Sequence, residues 1–263
     1  MNRNFIIGLL AATVLAVPSF AQSPFDGTWK GDPKSFQMPT KPDTYLLQNG
    51  VYECQTCVPP VKIPADGAMH KISGNPYIDM MSIRVLDPRT IAETDRRNGK
   101  IVATSKTYIA PNGNIGTVSF VDATDSSHAP VTGKAFIKRV AAGPAGSHAI
   151  SGSWITSSVA SYSANGMTVT YKVSGDRITM SNPTGQSYAA MLDGTDAPYR
   201  GDPGVTTVSV RRLAPDTIEE TDKRDGKIVG VATMKVAAGG GSMAMTYVDK
   251  QAGKTYAWTV TKQ

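Results

Sequence analysis

The chain has 263 residues, and its 27 Lys and Arg against 21 Asp and Glu give a formal net charge of +6. The Lys and Arg residues form no continuous block and no stripe interleaved with aromatic residues. We therefore expect no nucleic-acid partner. With only two cysteines and three histidines, the sequence shows no metal-ligand, haem-attachment or phosphate-cradling motif, and we expect no cofactor and no metal.

The chain opens with the pattern of an export signal. Arg3 supplies a positive charge, Phe5 to Val17 is an apolar run of 13 residues, and Ser19-Phe20-Ala21 offers small residues at the two positions that a signal peptidase reads. We expect residues 1–21 to be a signal peptide cleaved after Ala21, and the mature protein to be periplasmic or secreted. No later stretch approaches about 20 apolar residues, so we expect no integral membrane segment in the mature chain.

A long internal repeat predicts the domain organisation. The segment Ser82–Val102 returns 127 positions later as Ser209–Val229, and 14 of its 21 positions are identical. A repeat of this length indicates two copies of one folding unit. The stretch from Ala141 to His148 is small and rich in Gly and Pro, as in a linker. We therefore place the first unit at 24–140 and the second at 150–263.

Within each unit, apolar and polar residues alternate with period two, as in half-buried strands. The alternating segments are separated by turn dipeptides such as Asn49-Gly50, Asn98-Gly99 and Asp225-Gly226, which tolerate the positive φ angles of tight hairpins. The sequence thus predicts an all-β protein with two tandem antiparallel up-and-down β-barrel or meander units. Tandem β-sandwiches, or one fused sheet system, are the alternatives, because they produce the same alternation.

Each unit begins with Gly-x-Trp, at Gly27-Thr28-Trp29 and Gly152-Ser153-Trp154. This opening resembles the first-strand motif of the lipocalins and their calycin relatives, in which the Trp plugs the closed end of a barrel. A second lipocalin motif, Thr-Asp-Tyr, is matched in part by Thr94-Asp95-Arg96 and Thr221-Asp222-Lys223, and a third, a late Arg over the Trp, is not placed. A wider pattern includes Val58-Pro59-Pro60, Asp66-Gly67 and the segment Pro144–Gly152. By this pattern, nearly the whole mature chain also resembles a group of exported bacterial tandem-repeat β-proteins of unknown function.

The lipocalin-like resemblance implies a binding protein for a small apolar ligand, and that ligand is the partner we expect. It makes Trp29 and Trp154 candidate ligand-binding residues. Tyr77 is a further candidate, because it belongs to the stretch from Cys54 to Tyr77 that the second unit does not repeat. An envelope interaction or structural protein without a small-molecule site is an alternative, and the sequence does not determine the oligomeric state.

Cys54 and Cys57 form a C-x-x-C motif, which in an exported chain without other cysteines predicts an intramolecular disulfide. A redox-active pair and a metal site are the alternatives. Val58-Pro59-Pro60 follows directly and excludes the helix that a thioredoxin-type motif opens.

The repeat also carries two pairs of carboxylates, Glu93 with Asp95 and Glu220 with Asp222. Two residues apart on a strand, each pair shares one face. Because basic residues surround them, we interpret the pairs as part of a structural ion-pair ladder that fixes strand register. General acid/base chemistry or cation binding is the alternative.

A small-molecule enzyme is the second functional hypothesis, although the sequence favours a protein without catalytic activity. His70 and a carboxylate such as Asp79 are the catalytic candidates, because His70 lies near the cysteines and near the segment Asn75–Asp79. This hypothesis requires the two side chains to converge in one pocket.

Overall fold

The computed structural model describes residues 23–263, so the predicted signal peptide lies outside the described residues. Twenty strands and two short 3-10 helices, Pro33–Ser35 and Ala164–Met167, form this part of the chain. The first ten strands are β1 (Gly27–Gly31), β2 (Asp43–Gln48), β3 (Val51–Cys54), β4 (Val61–Pro64), β5 (His70–Lys71), β6 (Met80–Asp87), β7 (Thr90–Arg97), β8 (Lys100–Ile109), β9 (Ile115–Asp122) and β10 (Val131–Ala142). The second ten are β11 (Gly152–Tyr162), β12 (Thr168–Ser174), β13 (Arg177–Ser181), β14 (Ser187–Met191), β15 (Asp193–Arg200), β16 (Thr207–Ala214), β17 (Thr217–Arg224), β18 (Lys227–Val236), β19 (Ser242–Asp249) and β20 (Lys254–Lys262).

These strands form two antiparallel ten-stranded sheets, which confirms the prediction of an all-β protein with two barrel units. One sheet is a closed barrel of β1 and β12–β20, which we call the closed barrel. The other contains β2–β11 and is nearly closed, with an unpaired seam between β4 and β5; we call it the seamed barrel. β14 and β15, which correspond to β4 and β5, are hydrogen-bonded to each other, so the closed barrel has no such seam.

The two barrels exchange their first strands. β1 lies between β12 and β20, where Trp29 is opposite Val169 and Lys262. β11 lies in the other sheet between β10 and β2, where Trp154 is opposite Arg139 and Asp43. Each Gly-x-Trp strand therefore completes a barrel whose other strands belong to the opposite half of the sequence.

The turn chemistry of the repeat follows the sequence closely. Asn98 and Asp225 occupy equivalent hairpins between β7 and β8 and between β17 and β18, each with a φ of +51°, and the glycine that follows also has a positive φ. Asn and Asp tolerate this left-handed backbone better than other residues with a side chain. Asn98-Gly99 and Asp225-Gly226 therefore form tight hairpin turns, as the sequence predicts.

The predicted disulfide between Cys54 and Cys57 is formed, with the two Cα atoms 5.4 Å apart. Cys54 ends β3 and is buried in the core of the seamed barrel, and its Sγ accepts a hydrogen bond from the Cys57 N–H. The disulfide thus shapes the short loop between β3 and β4, next to the seam.

Each barrel has its own apolar core. In the closed barrel the core includes Phe25, Trp29 and Ile178; in the seamed barrel it includes Ile83, Ile109 and Trp154. Within residues 23–263, no helix has the length and apolar character needed to cross a membrane.

The strand exchange predicts which barrel loosens when each buried Trp is removed. Trp29→Ala deletes a fully buried side chain, which costs about 3–5 kcal/mol. We expect the lost protection in hydrogen exchange to fall on β12 and β20, while β2–β10 stay protected. The matched variant Trp154→Ala should give the opposite pattern, with losses on β2 and β10. A loss of protection on β2 in Trp29→Ala would contradict the exchange.

Candidate functional site

Each barrel contains a cavity among its inward-facing side chains. The cavity of the seamed barrel measures about 360 Å³ and that of the closed barrel about 400 Å³. Both volumes lie in the range of small-molecule pockets, about 300–1,000 Å³. The two cavities are therefore the main candidate sites of the described residues.

The repeated carboxylates lie inside the barrels. Glu93 lines the cavity of the seamed barrel, and Glu220 lines that of the closed barrel. Asp95 and Asp222 lie two residues further along the same strands and therefore face the interior too. Each Asp is buried, and each keeps one carboxylate oxygen, Oδ1, without a hydrogen-bond partner among residues 23–263.

The interpretation of these residues as an ion-pair ladder is wrong. Arg211 does pair across the strands, but with Glu219, whose Oε1 lies 3.0 Å from the arginine Nη2 on the outer face. Glu220 is instead opposite the buried Val210. In the part of the chain that the structure describes, no salt bridge includes any of the four repeated carboxylates.

Tyrosine side chains surround the carboxylates of the closed barrel. The Tyr188 hydroxyl donates a hydrogen bond of 2.5 Å to Glu220 Oε2, and Tyr188 is in turn 5.8 Å from Tyr199 between ring centroids. Tyr171 and Tyr199 line the cavity. Burial, reinforced by the nearby Glu220, raises the pKa of all three tyrosine hydroxyls, so they stay neutral.

Burial also makes the carboxyl groups hold their protons. In both barrels desolvation raises the pKa of the Glu, and the adjacent Asp raises it further. Desolvation also raises the pKa of Asp95 and Asp222. Each pair is therefore suited to share one proton, which leaves a single negative charge inside the barrel.

A cationic side chain lies over the indole of each buried Trp. The Arg139 guanidinium lies 4.1 Å from the ring centroid of Trp154, and its Nη2 donates a 2.6 Å hydrogen bond to the Ala149 carbonyl. In the closed barrel, Lys262 Nζ lies 5.2 Å from the centroid of Trp29. Trp154 lines the cavity of its barrel, whereas the fully buried Trp29 does not.

Tyr77 lies in a polar cleft of about 240 Å³ between the barrels. Its hydroxyl donates a 3.0 Å hydrogen bond to Asp202 Oδ1, and its ring packs so closely on Gly204 that an added Cβ there would collide with it. Gly204 lies 127 positions after Tyr77, so equivalent positions of the two repeats meet. Tyr77 is thus a contact between barrels and does not line either barrel cavity.

The catalytic candidates His70 and Asp79 have separate partners. His70 Nε2 lies 2.8 Å from Asp66 Oδ1 on the surface, whereas Asp79 Oδ2 accepts a 2.7 Å hydrogen bond from the Asn98 N–H. Neither residue lines the two barrel cavities or the cleft. No cluster of three or more potential metal ligands occurs within residues 23–263.

Because the folded protein holds protons at these carboxyls more firmly than the unfolded chain does, its stability should fall as the pH rises. This contribution is complete below the ordinary carboxyl pKa and is lost as the pH passes the raised pKa. We expect urea unfolding between about pH 5 and about pH 9 to show this fall, and Glu220→Gln to reduce it. Glu219→Gln, which changes the neighbouring carboxylate on the outer face, serves as the control. An equal effect of both substitutions would contradict the burial argument.

The chain matches no family model and no curated protein.

Proposed function

We propose that the protein is an exported binding protein for small, largely apolar ligands, which it holds inside its barrels. The observation that carries the proposal is the presence of a cavity of about 360 Å³ and one of about 400 Å³ at equivalent places in the two barrels. A protein whose barrels had only a structural role would gain stability by filling such spaces, because each unfilled cavity costs packing energy.

The lining of the cavities favours a mainly apolar ligand. In the seamed barrel, Ile91, Val118 and Ile137 contribute aliphatic surface, and in the closed barrel Met180, Met234 and Met245 occupy the lining. Methionine side chains are flexible and adapt to ligands of different shape. Burial of apolar ligand surface against these side chains contributes about 25 cal/mol per Å².

A lipocalin-like relationship is part of the same proposal. Its support is the arrangement at Trp154, whose indole Nε1 donates a 2.8 Å hydrogen bond to the Ile150 carbonyl while Arg139 covers the ring. In this proposal Arg139 takes the role of the late Arg that covers the Trp in lipocalins. The same indole hydrogen bond, from Trp29 to the Phe25 carbonyl, occurs in the closed barrel.

Titration with the neutral apolar fluorophore N-phenyl-1-naphthylamine tests the proposal directly. We expect the emission to rise and shift to the blue on binding, with about two molecules bound per chain because there is one cavity in each barrel. Absence of binding to the folded protein, across several apolar probes of different size, would contradict the proposal.

Ala135→Trp should remove one of these sites. Ala135 lines the cavity of the seamed barrel and is opposite Val118. We expect the stoichiometry to fall to about one molecule per chain, since the added indole reduces a cavity of about 360 Å³ below the size of small-molecule pockets. Val140→Trp adds the same side chain to an exposed position of β10 and should leave binding unchanged.

A further inference from the structure

The closed-barrel cavity contains a negative charge with no protein cation to balance it. No Lys, Arg or His lines this cavity, and Glu220 is its only acidic lining residue. The carboxylate pair of Glu220 and Asp222 takes part in no salt bridge among the described residues. A buried charge without a partner is costly, which gives a positively charged ligand group an advantage at this position.

Aromatic rings supply a second feature that favours a cation. Tyr171, Tyr199, Tyr247 and Trp258 all line the closed-barrel cavity. The faces of such rings attract ammonium groups, and the attraction is stronger where water is excluded. The hydroxyls stay neutral because burial raises the pKa of the tyrosines, so they add no competing charge.

An unsatisfied oxygen provides a third, independent feature. Asp222 is 7% exposed, and its Oδ1 has no hydrogen-bond partner within residues 23–263. Asp222 shares the inner face of β17 with Glu220. Glu220 Oε2 accepts a hydrogen bond from the Tyr188 hydroxyl. Asp222 does not itself line the cavity, but the adjacent Glu220 does, so the pair keeps free acceptor capacity next to a carboxyl group that an ammonium ligand reaches.

The seamed barrel differs in this respect, although its carboxylates are equivalent. Lys254 Nζ lies 2.6 Å from Oδ1 of Asp43, which lines this cavity together with Glu93. Val61 stands where the closed barrel has Tyr188. An ammonium ligand would meet a like charge there. Aromatic rings line both cavities, so the closed barrel differs in having no protein cation among the described residues that lines its cavity or forms a salt bridge with a lining residue.

We propose that the closed barrel selectively binds lipophilic amines, with the ammonium group at the Glu220–Asp222 pair and the apolar body among the methionine and aromatic side chains. This inference rests on the proposed function, because it assigns a ligand class to one of the two proposed cavities. When the ammonium ion binds, its charge favours the fully ionised pair, so the proton shared by the two carboxyl groups passes to the solvent.

Isothermal titration of the full chain with 1-octylamine and 1-octanol tests this selectivity, since the two probes share a tail and differ in the charge of the head group. We expect octylamine to bind at least about tenfold more tightly than octanol near neutral pH, because its hydrogen bonds are charge-assisted. The measured heat should also change between buffers of different ionisation enthalpy, since proton release accompanies binding of the amine.

Two equivalent substitutions locate the selectivity. Glu220→Gln keeps an acceptor for Tyr188 but removes the charge, and it should abolish the preference for octylamine. Glu93→Gln makes the same change at the equivalent position of the seamed barrel and should leave the preference intact. The measurements on the unsubstituted protein, including the buffer comparison, test the proposal even if Glu220→Gln does not fold.

The outcomes separate the two proposals. If octanol and octylamine bind equally, or if Glu93→Gln alone removes the preference, the amine site in the closed barrel is wrong while the cavities remain binding sites. If neither probe nor N-phenyl-1-naphthylamine binds, the proposed function fails and the amine site fails with it.

Discussion

β1 closes a barrel to which none of the next nine strands belongs. It lies between β12 and β20 and supplies hydrogen-bonding partners to both, so the closed barrel is left with no free strand edge. β11 does the same for β2 and β10 of the seamed barrel. Both cavities depend on these two strands, because removal of either would open a barrel wall beside the buried Trp that the strand carries. The exchange also ties the two halves of the chain together through backbone hydrogen bonds.

Much of this fold could be predicted from the sequence. The repeat indicated two copies of one unit, and the Asn-Gly and Asp-Gly dipeptides mark hairpins because few other residues accept the positive φ that these turns need. The exchange of first strands could not be predicted in the same way. Gly27-Thr28-Trp29 and Gly152-Ser153-Trp154 carry the same residues at the key positions, so either strand satisfies the pairing demands of either barrel. Which one closes which barrel is set by the path of the chain between them.

The interior position of the repeated carboxylates was not predicted, for a different reason. In Glu-Thr-Asp every residue is polar, so an alternation of period two cannot say which face of the strand lies inside. The neighbouring arginines favoured the interpretation of an ion pair on the outer face. Arg211 does form such a pair, but with Glu219. The useful signal lies two residues before each Glu: Ile91 and Ile218 are apolar and stand in phase with Glu93 and Glu220. An acidic residue that lies an even number of positions from the core-facing residues of its strand also points into the barrel.

Small compensating differences distinguish the two interiors. Tyr247 lies over Gly230, where an added Cβ would collide with its ring. At the equivalent positions of the seamed barrel, Phe120 lacks the hydroxyl and Ala103 has the Cβ. In the closed barrel, the hydroxyl-bearing ring of Tyr247 therefore occupies the space that a side chain at position 230 of the neighbouring strand would need. Together with Tyr188, this substitution gives one barrel a more polar and aromatic interior, although both barrels share their scaffold.

The position of β1 also has a consequence for the order in which the protein assembles. Among the strands of residues 23–263, β1 leaves the ribosome first, whereas its partner β20 leaves last. Trp29 must remain without its native neighbours until residues more than half the chain away have been synthesised. Pairing at such sequence separations is slow, because the entropy of closing the loop is lost before the contacts form. β1 therefore closes the barrel late, although it is synthesised early. Until it pairs, the edges of β12 and β20 that it covers stay open.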